Sequence, residues 1–447
     1  MTSERLAWLL VGCLAIAPGM AAGQETVALS LDQAVARALA HAPRLAESRA
    51  RERAAAETTA ARAASGRPTV AALAGVTRTN HVDEFGITQP NGDRRVIFPD
   101  IPTNYRVRAE LDVPLYTAGR VDALVRSAEA DRTAAGAEAA SAEADVELET
   151  VLAYWTLAMG RAQVAVLEAA QARADALVDD VTARVDTGLL PPNERLTAEA
   201  RRARQRVRLI EAENAAAAAE MDLARLVGFE PGVSIELTTP VAAEPAADGV
   251  AAGADPAALA EQAASTRPER QALDARVLSA EAAAEAAAAL TRPQISALAA
   301  IEPSRPNPRF VPRVDDWNTS WDLGLTVRWP IFDGGQARAQ RAAALAGAEA
   351  ARARVSDFEA RVAVDVRQRH LDVESARAGL EAAGEAVDAA REARRVVGER
   401  FEVGVATTSD VLDADVALLE AELEETRLAI ALHVSRARLM RSAGVRR

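Results

Sequence analysis

The sequence predicts a mainly α chain with a small β part, in which one design of long α-helical hairpins and paired strands is written twice. Three observations carry this expectation. Aromatics are 3% of the chain while charged residues are 26%, and alanine fills much of the rest, the composition of long helices packed side by side on small residues. The run Pro114-Leu115-Tyr116-Thr117-Ala118-Gly119-Arg120 returns as Pro330-Ile331-Phe332-Asp333-Gly334-Gly335-Gln336, a spacing of 216 (330 − 114). Two stretches, Tyr105 to Leu115 and Trp321 to Trp329, alternate apolar and polar residues with the period of a strand.

Taken in order, the chain opens with a stretch that reads as a secretory signal over residues 1–23. Arg5 supplies the positive charge, Leu6 to Ala17 the apolar segment, and Met20-Ala21-Ala22-Gly23 the small residues for cleavage. The apolar segment is too short to span a bilayer. Cys13 is the only cysteine, so no intrachain disulfide can form. Leu10-Val11-Gly12-Cys13 also matches a lipoprotein cleavage box, so Cys13 is either lipidated or removed with the signal. No other apolar run is long enough for a transmembrane helix.

The first repeat occupies residues 24–240. Ser30 caps a helix expected to run unbroken to about Ala64, ended by Gly66 and Pro68. Val70 to Thr79 and Tyr105 to Leu115 read as strands. From Arg120 to about Asp186 no proline intervenes, which predicts a helix roughly 100 Å long at about 1.5 Å per residue. A turn from Gly188 to Pro192 reverses the chain into a helix that stops at Gly228. Residues 241–254 form a Gly-, Pro- and Ala-rich linker, with a short β-like run at Val233 to Leu237 just before it. The second repeat, 255–447, has the same order. A helix is expected over Asp255 to Thr291, strands at Ile295 to Ile301 and Trp321 to Trp329, a helix of roughly 100 Å from Gln336 to about Val403, a turn at Gly404, and a last helix from Ser409 to about Arg441.

The strands carry charge on alternate positions: Arg106, Arg108, Glu110 and Asp112 against Tyr105, Val107, Ala109, Leu111 and Val113. Ten such residues suit a tilted strand crossing a bilayer. Nine of the fifteen aromatics lie between Phe85 and Tyr116 or between Phe310 and Phe332. Tyr105, Tyr116, Trp321, Trp329 and Phe332 would then mark the membrane interfaces. The other reading is two hairpins packed on a soluble core. Four strands cannot close a barrel, and hydrocarbon tolerates no open edge. Strands pooled from three copies would give twelve, within the range of membrane barrels.

The search for chemistry finds no catalytic constellation. His41, His81, His370 and His433 show no metal-ligand spacing, Gly334-Gly335 is not followed by the Lys-Ser/Thr of a phosphate loop, and no Gly-x-Ser-x-Gly occurs. A net charge of −13 argues against nucleic acid as a partner. No enzyme activity and no cofactor are expected.

The repeat, the Pro-x-aromatic-x-x-Gly junctions from Pro114 to Gly119 and from Pro330 to Gly335, and the hairpins at Gly188 and Gly404 together resemble the TolC-type outer membrane efflux proteins, the outer membrane factor family. The likeness covers essentially the whole mature chain. It implies a homotrimer in which four strands per protomer make a twelve-stranded transmembrane β-barrel in outer-membrane lipid, continued by a trimeric α-barrel that extends far into the periplasm. The implied role is the passive exit duct of a tripartite efflux or type I secretion system. A periplasmic adaptor (a membrane-fusion protein) and an inner-membrane pump, proton-driven or ABC type, would be its partners.

The resemblance also assigns residues. Thr187, Gly188 and Leu189, with Val403, Gly404 and Val405, match the hairpin tips that meet the adaptor. Asp410 and Asp413 match paired aspartates of a periplasmic constriction, Glu194 stands where a related acid occurs, and Phe401 where an aromatic joins the closed tip. Ala406 departs from the family, which can place a latching arginine there. Two rings of three aspartates would favour cations; the competing reading of Asp410 and Asp413 is simple compensation of a helix dipole. The alternative for the whole chain is a periplasmic coiled-coil adaptor or scaffold, which would explain the helices but not the charged, alternating strands.

Overall fold

The computed structural model describes residues 26–230, 232–241 and 255–445. The expected signal segment with Cys13, and all but the first residue of the expected linker, lie outside the described residues. The chain runs β1 (Thr26–Leu29), α1 (Leu31–His41), α2 (Pro43–Ala64), β2 (Thr69–Arg78), β3 (Phe85–Thr88), β4 (Arg94–Phe98), β5 (Thr103–Tyr116), α3 (Arg120–Asp186) and α4 (Pro192–Val227). It continues β6 (Ser234–Leu237), α5 (Pro256–Thr266), α6 (Pro268–Ala288), a 3-10 turn (Ala289–Thr291), β7 (Gln294–Arg305), β8 (Asn318–Arg328), α7 (Gln336–Glu402) and α8 (Thr408–Ser442).

The two long helices form as the sequence predicts, each 67 residues with no internal proline. The helices expected over 30–64 and 255–291 do not run unbroken. Each is cut at a proline: Ala42 before Pro43 is extended (φ −62°, ψ 118°), as is Arg267 before Pro268 (φ −63°, ψ 136°). The proline ring clashes with an α conformation in the preceding residue and removes one N–H, so each proline instead becomes the first residue of a new helix. The same break at matching places in the two halves is a further sign of the repeat.

The chain divides into two compact units, and each draws on both repeats. Of the described residues, the first contains 26–41, 150–230, 232–241 and Ala383–Ile430. Here β1 pairs in parallel with β6, from Thr26 opposite Ser234 to Leu29 opposite Leu237. Tyr154, fully buried, ties this pair to α3: its Oη donates to the Leu29 carbonyl at 3.2 Å and accepts from the Thr239 N–H at 3.1 Å. Glu220 accepts from the Ile235 N–H at 2.6 Å and pairs with Arg161 at 2.9 Å. Farther along the helices, Leu167 and Ala170 pack on Leu419.

The second unit contains Ala42–Glu149, Pro245–Ala382 and Ala431–Arg447. Its helices share an apolar cluster of Leu259, Ala263, Val362, Val366, Leu439 and Ala443. Beside the break at Pro268, Glu269 pairs with Arg267 at 3.0 Å and with Arg441; Arg441 in turn pairs with Asp145 at 2.7 Å, and Asp145 with Arg44 at 3.1 Å, next to the break at Pro43. Burial alone would raise the Glu269 carboxyl, but hydrogen bonds from Arg267 and Arg441 outweigh it and hold its pKa down to about 2.

The unit's sheet is antiparallel, in the order β2-β5-β7-β8. Among the described residues no strand pairs with the outer edge of β2 or of β8. Register puts Val107, Ala109, Leu111 and Val113 of β5 on the same face as Ala297, Ala299 and Ile301 of β7 and Trp321, Leu323, Leu325 and Val327 of β8. That face is bare: Leu323 is 76% exposed and Val70 at the far edge 77%. A separate hairpin, β3 with β4, lies in the loop between β2 and β5.

Candidate functional site

Both predicted turns are helix ends of one kind. After α3, Gly188 takes φ +77°; its N–H reaches the Val185 carbonyl at 2.9 Å, and the Leu189 N–H reaches Arg184 at 2.8 Å. After α7, Gly404 takes the same φ; its N–H reaches Phe401 at 3.0 Å, and the Val405 N–H reaches Arg400 at 2.7 Å. This double bond to the last turn needs a left-handed residue, which glycine supplies without strain. Thr187, Leu189, Val403 and Val405 project outward from these turns and are exposed, the two valines and the leucine with no apolar cover.

The helices leaving the turns start differently. Before α8, Thr407 and Asp410 cap each other: the Asp410 carboxylate accepts from the Thr407 N–H and Oγ1, both at 2.8 Å, and Thr407 Oγ1 accepts from the Asp410 N–H at 3.2 Å. These bonds from Thr407, backbone first, hold the Asp410 carboxyl below the usual carboxylate range. Asp410 is therefore committed to its own helix start. Asp413, one turn on, is open: its side chain is 78% exposed, and its nearest cation, Arg201, stands 4.0 Å away. Ahead of α4, Pro191 and Pro192 replace the side-chain cap, and Glu194 in the first turn accepts from Asn193 at 3.2 Å.

Phe401 is only 5% exposed and lies inside the first unit's own core, with Leu177 and Val181 of α3 and Val411 and Leu412 of α8. The Arg184 guanidinium lies 4.5 Å over its ring, donates to its carbonyl at 3.1 Å, and grips Asp180 through Nε. This bridge between the end of α3 and the end of α7 was not visible in the sequence, since Arg184 and Phe401 lie 217 residues apart. Asp415 is likewise joined to Arg394 at 3.0 Å, and Arg173 to Glu422 at 3.1 Å.

At the strand-to-helix junctions, β5 runs through Pro114 to Tyr116, with a register shift at that point, before Gly119 (φ +79°) turns the chain into α3. The second junction follows β8 at Pro330 and uses Gly335 (φ +86°); Asp333 caps α7 by accepting from Gly335 at 2.9 Å and Ala337 at 2.8 Å. Tyr105 and Trp321 stand at the loop end of the sheet, and Tyr116, Trp329 and Phe332 at the helix end, all exposed. The eleven-residue step from Tyr105 to Tyr116 along β5 separates the two levels by roughly 35 Å of strand, enough to cross a tilted hydrocarbon layer.

The opposite, polar face holds an ion ladder. Arg108 pairs with Glu110 at 2.9 Å and with Glu302 and Asp322 at 3.1 Å each; Arg106 approaches Glu302 at 3.5 Å. Among the described residues no helix is long and apolar enough to cross a membrane, and no group of three or more His, Cys, Asp or Glu could hold a metal.

Long helical hairpins joined to a sheet with one lipid-suited face and one charged face define a membrane-channel class of protein. The chain belongs to the outer membrane efflux protein family, whose profile matches residues 34–229 and 259–445. Membership makes it a transport protein of the outer membrane whose helical part is the periplasmic extension. Its fold is similar to VceC from Vibrio cholerae (TM-score 0.77, 21% identity, 93% of this chain and 96% of that one). It is also similar to the CmeC channel of Campylobacter jejuni (0.77, 15%, 93% and 85%) and to the open state of the MtrE channel of Neisseria gonorrhoeae (0.76, 18%, 93% and 89%). No curated protein sequence matches it.

Proposed function

We propose that three copies of this chain close a twelve-stranded barrel and act as the exit duct of a tripartite efflux or type I secretion system. The observation that carries the reading is the sheet. It has a bare apolar face, an ion-paired polar face and two free edges, and a bilayer accepts such edges only when another strand pairs with them. The duct is passive. A periplasmic adaptor docks on the exposed tips at Thr187–Leu189 and Val403–Val405, and an inner-membrane pump, proton-driven or ABC type, supplies the energy.

The periplasmic constriction, in this reading, falls chiefly to Asp413. Its carboxylate is largely exposed and only loosely paired with Arg201, while Asp410 serves its own cap and Glu194 lies on the other hairpin. Phe401 and Arg184 hold the two tips of one protomer together, where Ala406 offers no latch. Purified protein in planar bilayers tests this. The Asp410→Ala, Asp413→Ala pair should lose cation preference and block by multivalent cations, with Asp413→Ala alone giving most of the loss. Unchanged conductance and block in the pair would sink the constriction. A water-soluble monomer that forms no pores would sink the duct.

A further inference from the structure

The polar face of the sheet is not open along its whole length. At the end away from the helices, Ser304 of β7 is 3% exposed and Asn307, in the loop that follows β7, is 2% exposed, whereas most residues of the outer strands β2 and β8 are exposed. That loop joins β7 to β8 and folds back onto β8. Asn307 Nδ2 donates to the Asn318 carbonyl at 2.9 Å and to Ser320 Oγ at 3.2 Å, and its Oδ1 accepts from the Arg309 N–H at 3.0 Å. Register places Ser320 and Asp322 on the polar face, opposite Glu302 and Ala300. Arg309 then lies along that face: Nη1 donates to the Trp321 carbonyl at 2.8 Å, and Nη2 binds the Asp322 carboxylate. Asp322 is the same carboxylate that Arg108 holds from the other side, so the loop is fastened to the ion ladder across β5, β7 and β8. The loop's base is closed separately by Arg305, which pairs with Asp315 at 3.0 Å.

We infer that this loop is an inward-folded collar at the outer mouth of the channel, with Arg309 and Asp322 as the pair that holds it in the lumen. The inference rests on the polar face lining the lumen, as in the proposed function. A loop that stood away from the membrane would not bond Asn307 back to Asn318 and Ser320, nor turn an arginine back to a strand carboxylate. Arg106, Arg108 and Arg309 face Glu110, Glu302 and Asp322, three charges of each sign, so the collar narrows the mouth by its bulk rather than by net charge.

That distinction sets the test. Arg309→Ala and Asp322→Asn change the local charge in opposite senses, yet each frees the loop. Both should raise single-channel conductance in planar bilayers, by about 1.5-fold. Arg309→Cys, treated from the outer side with a bulky thiol reagent, should lose conductance, with the untreated variant and treated wild type as controls. Opposite changes in the two charge variants would mean an ordinary charge effect and overturn the collar. So would unchanged conductance in both, even if the reagent blocks, since the arginine would then line the lumen without narrowing it. Wild-type protein that forms no channel at all would remove the duct reading, and the collar with it.

Discussion

Glu269 sits beside the helix break at Pro268 and pairs with two arginines, Arg267 and Arg441, which hold its carboxyl far below that of a free glutamate. A carboxylate with a depressed folded pKa stabilises the protein above its unfolded pKa, near 4.5, and loses that contribution as pH falls toward about 2. Glu269→Gln should therefore lower thermal stability at neutral pH by on the order of 1–2 kcal/mol, after allowing for its partial exposure to water, and the gap to wild type should close between pH 4.5 and 2. Melting followed by circular dichroism across that range checks it; a gap that persists at low pH would assign the loss to packing. Little at this scale was legible beforehand. Asp410 was visible as either a cap or a charge for a pore, and the cap is present. Arg184 over Phe401, and Tyr154 bridging β1 to Thr239, join residues far apart in the chain, and no local pattern announces such pairs.

Elements were far more legible where a backbone rule acted alone. Gly188 and Gly404 announced the helix ends because each must take a left-handed conformation, and period-two alternation announced β5 and β8. The breaks at Pro43 and Pro268 were missed because strongly helix-forming neighbours on each side masked a proline that begins a helix. Of the pair β1–β6, the second was read as the short β-like run at Val233 to Leu237, while β1, at four residues, is too short for a period; β3–β4 contains a register shift. The tip glycines give a clean prediction. A Cβ at either Gly188 or Gly404 would meet nothing within 4 Å, so alanine there carries only the backbone cost of left-handed φ, about 1 kcal/mol each. Gly404→Ala should fray the end of α7 and speed proteolysis at the tip, read by limited digestion. An unchanged cleavage rate would mean the turn adopts another form at no cost.

At the scale of the molecule, the two sheet faces should respond oppositely to charge. Leu323→Arg puts a cation on the bare apolar face and should cost about 2–4 kcal/mol per copy near the bilayer midplane, removing the protein from the outer-membrane fraction. Thr326→Arg, on the polar face of the same strand, should fractionate as wild type. Equal loss from both would mean that β8 tolerates no long side chain and would leave the faces undistinguished by lipid. The repeat and the sheet were readable because they are periodic; the division into two compact units was not, since each is assembled from three separate stretches of chain.

The free edges of β2 and β8 bear on the order of events in the cell. Along the outer edges of these strands of ten and eleven residues, roughly every second residue turns its backbone N–H and C=O away from the sheet, and each such group left without a partner costs several kcal/mol in hydrocarbon. A single chain is thus barred from the bilayer by its own main chain, however greasy its outer face. In the proposed trimer, meeting other copies and entering the membrane become one step, whose rate climbs steeply with the amount of chain waiting in the periplasm. A shortage of chain would lower the number of finished ducts far more than in proportion.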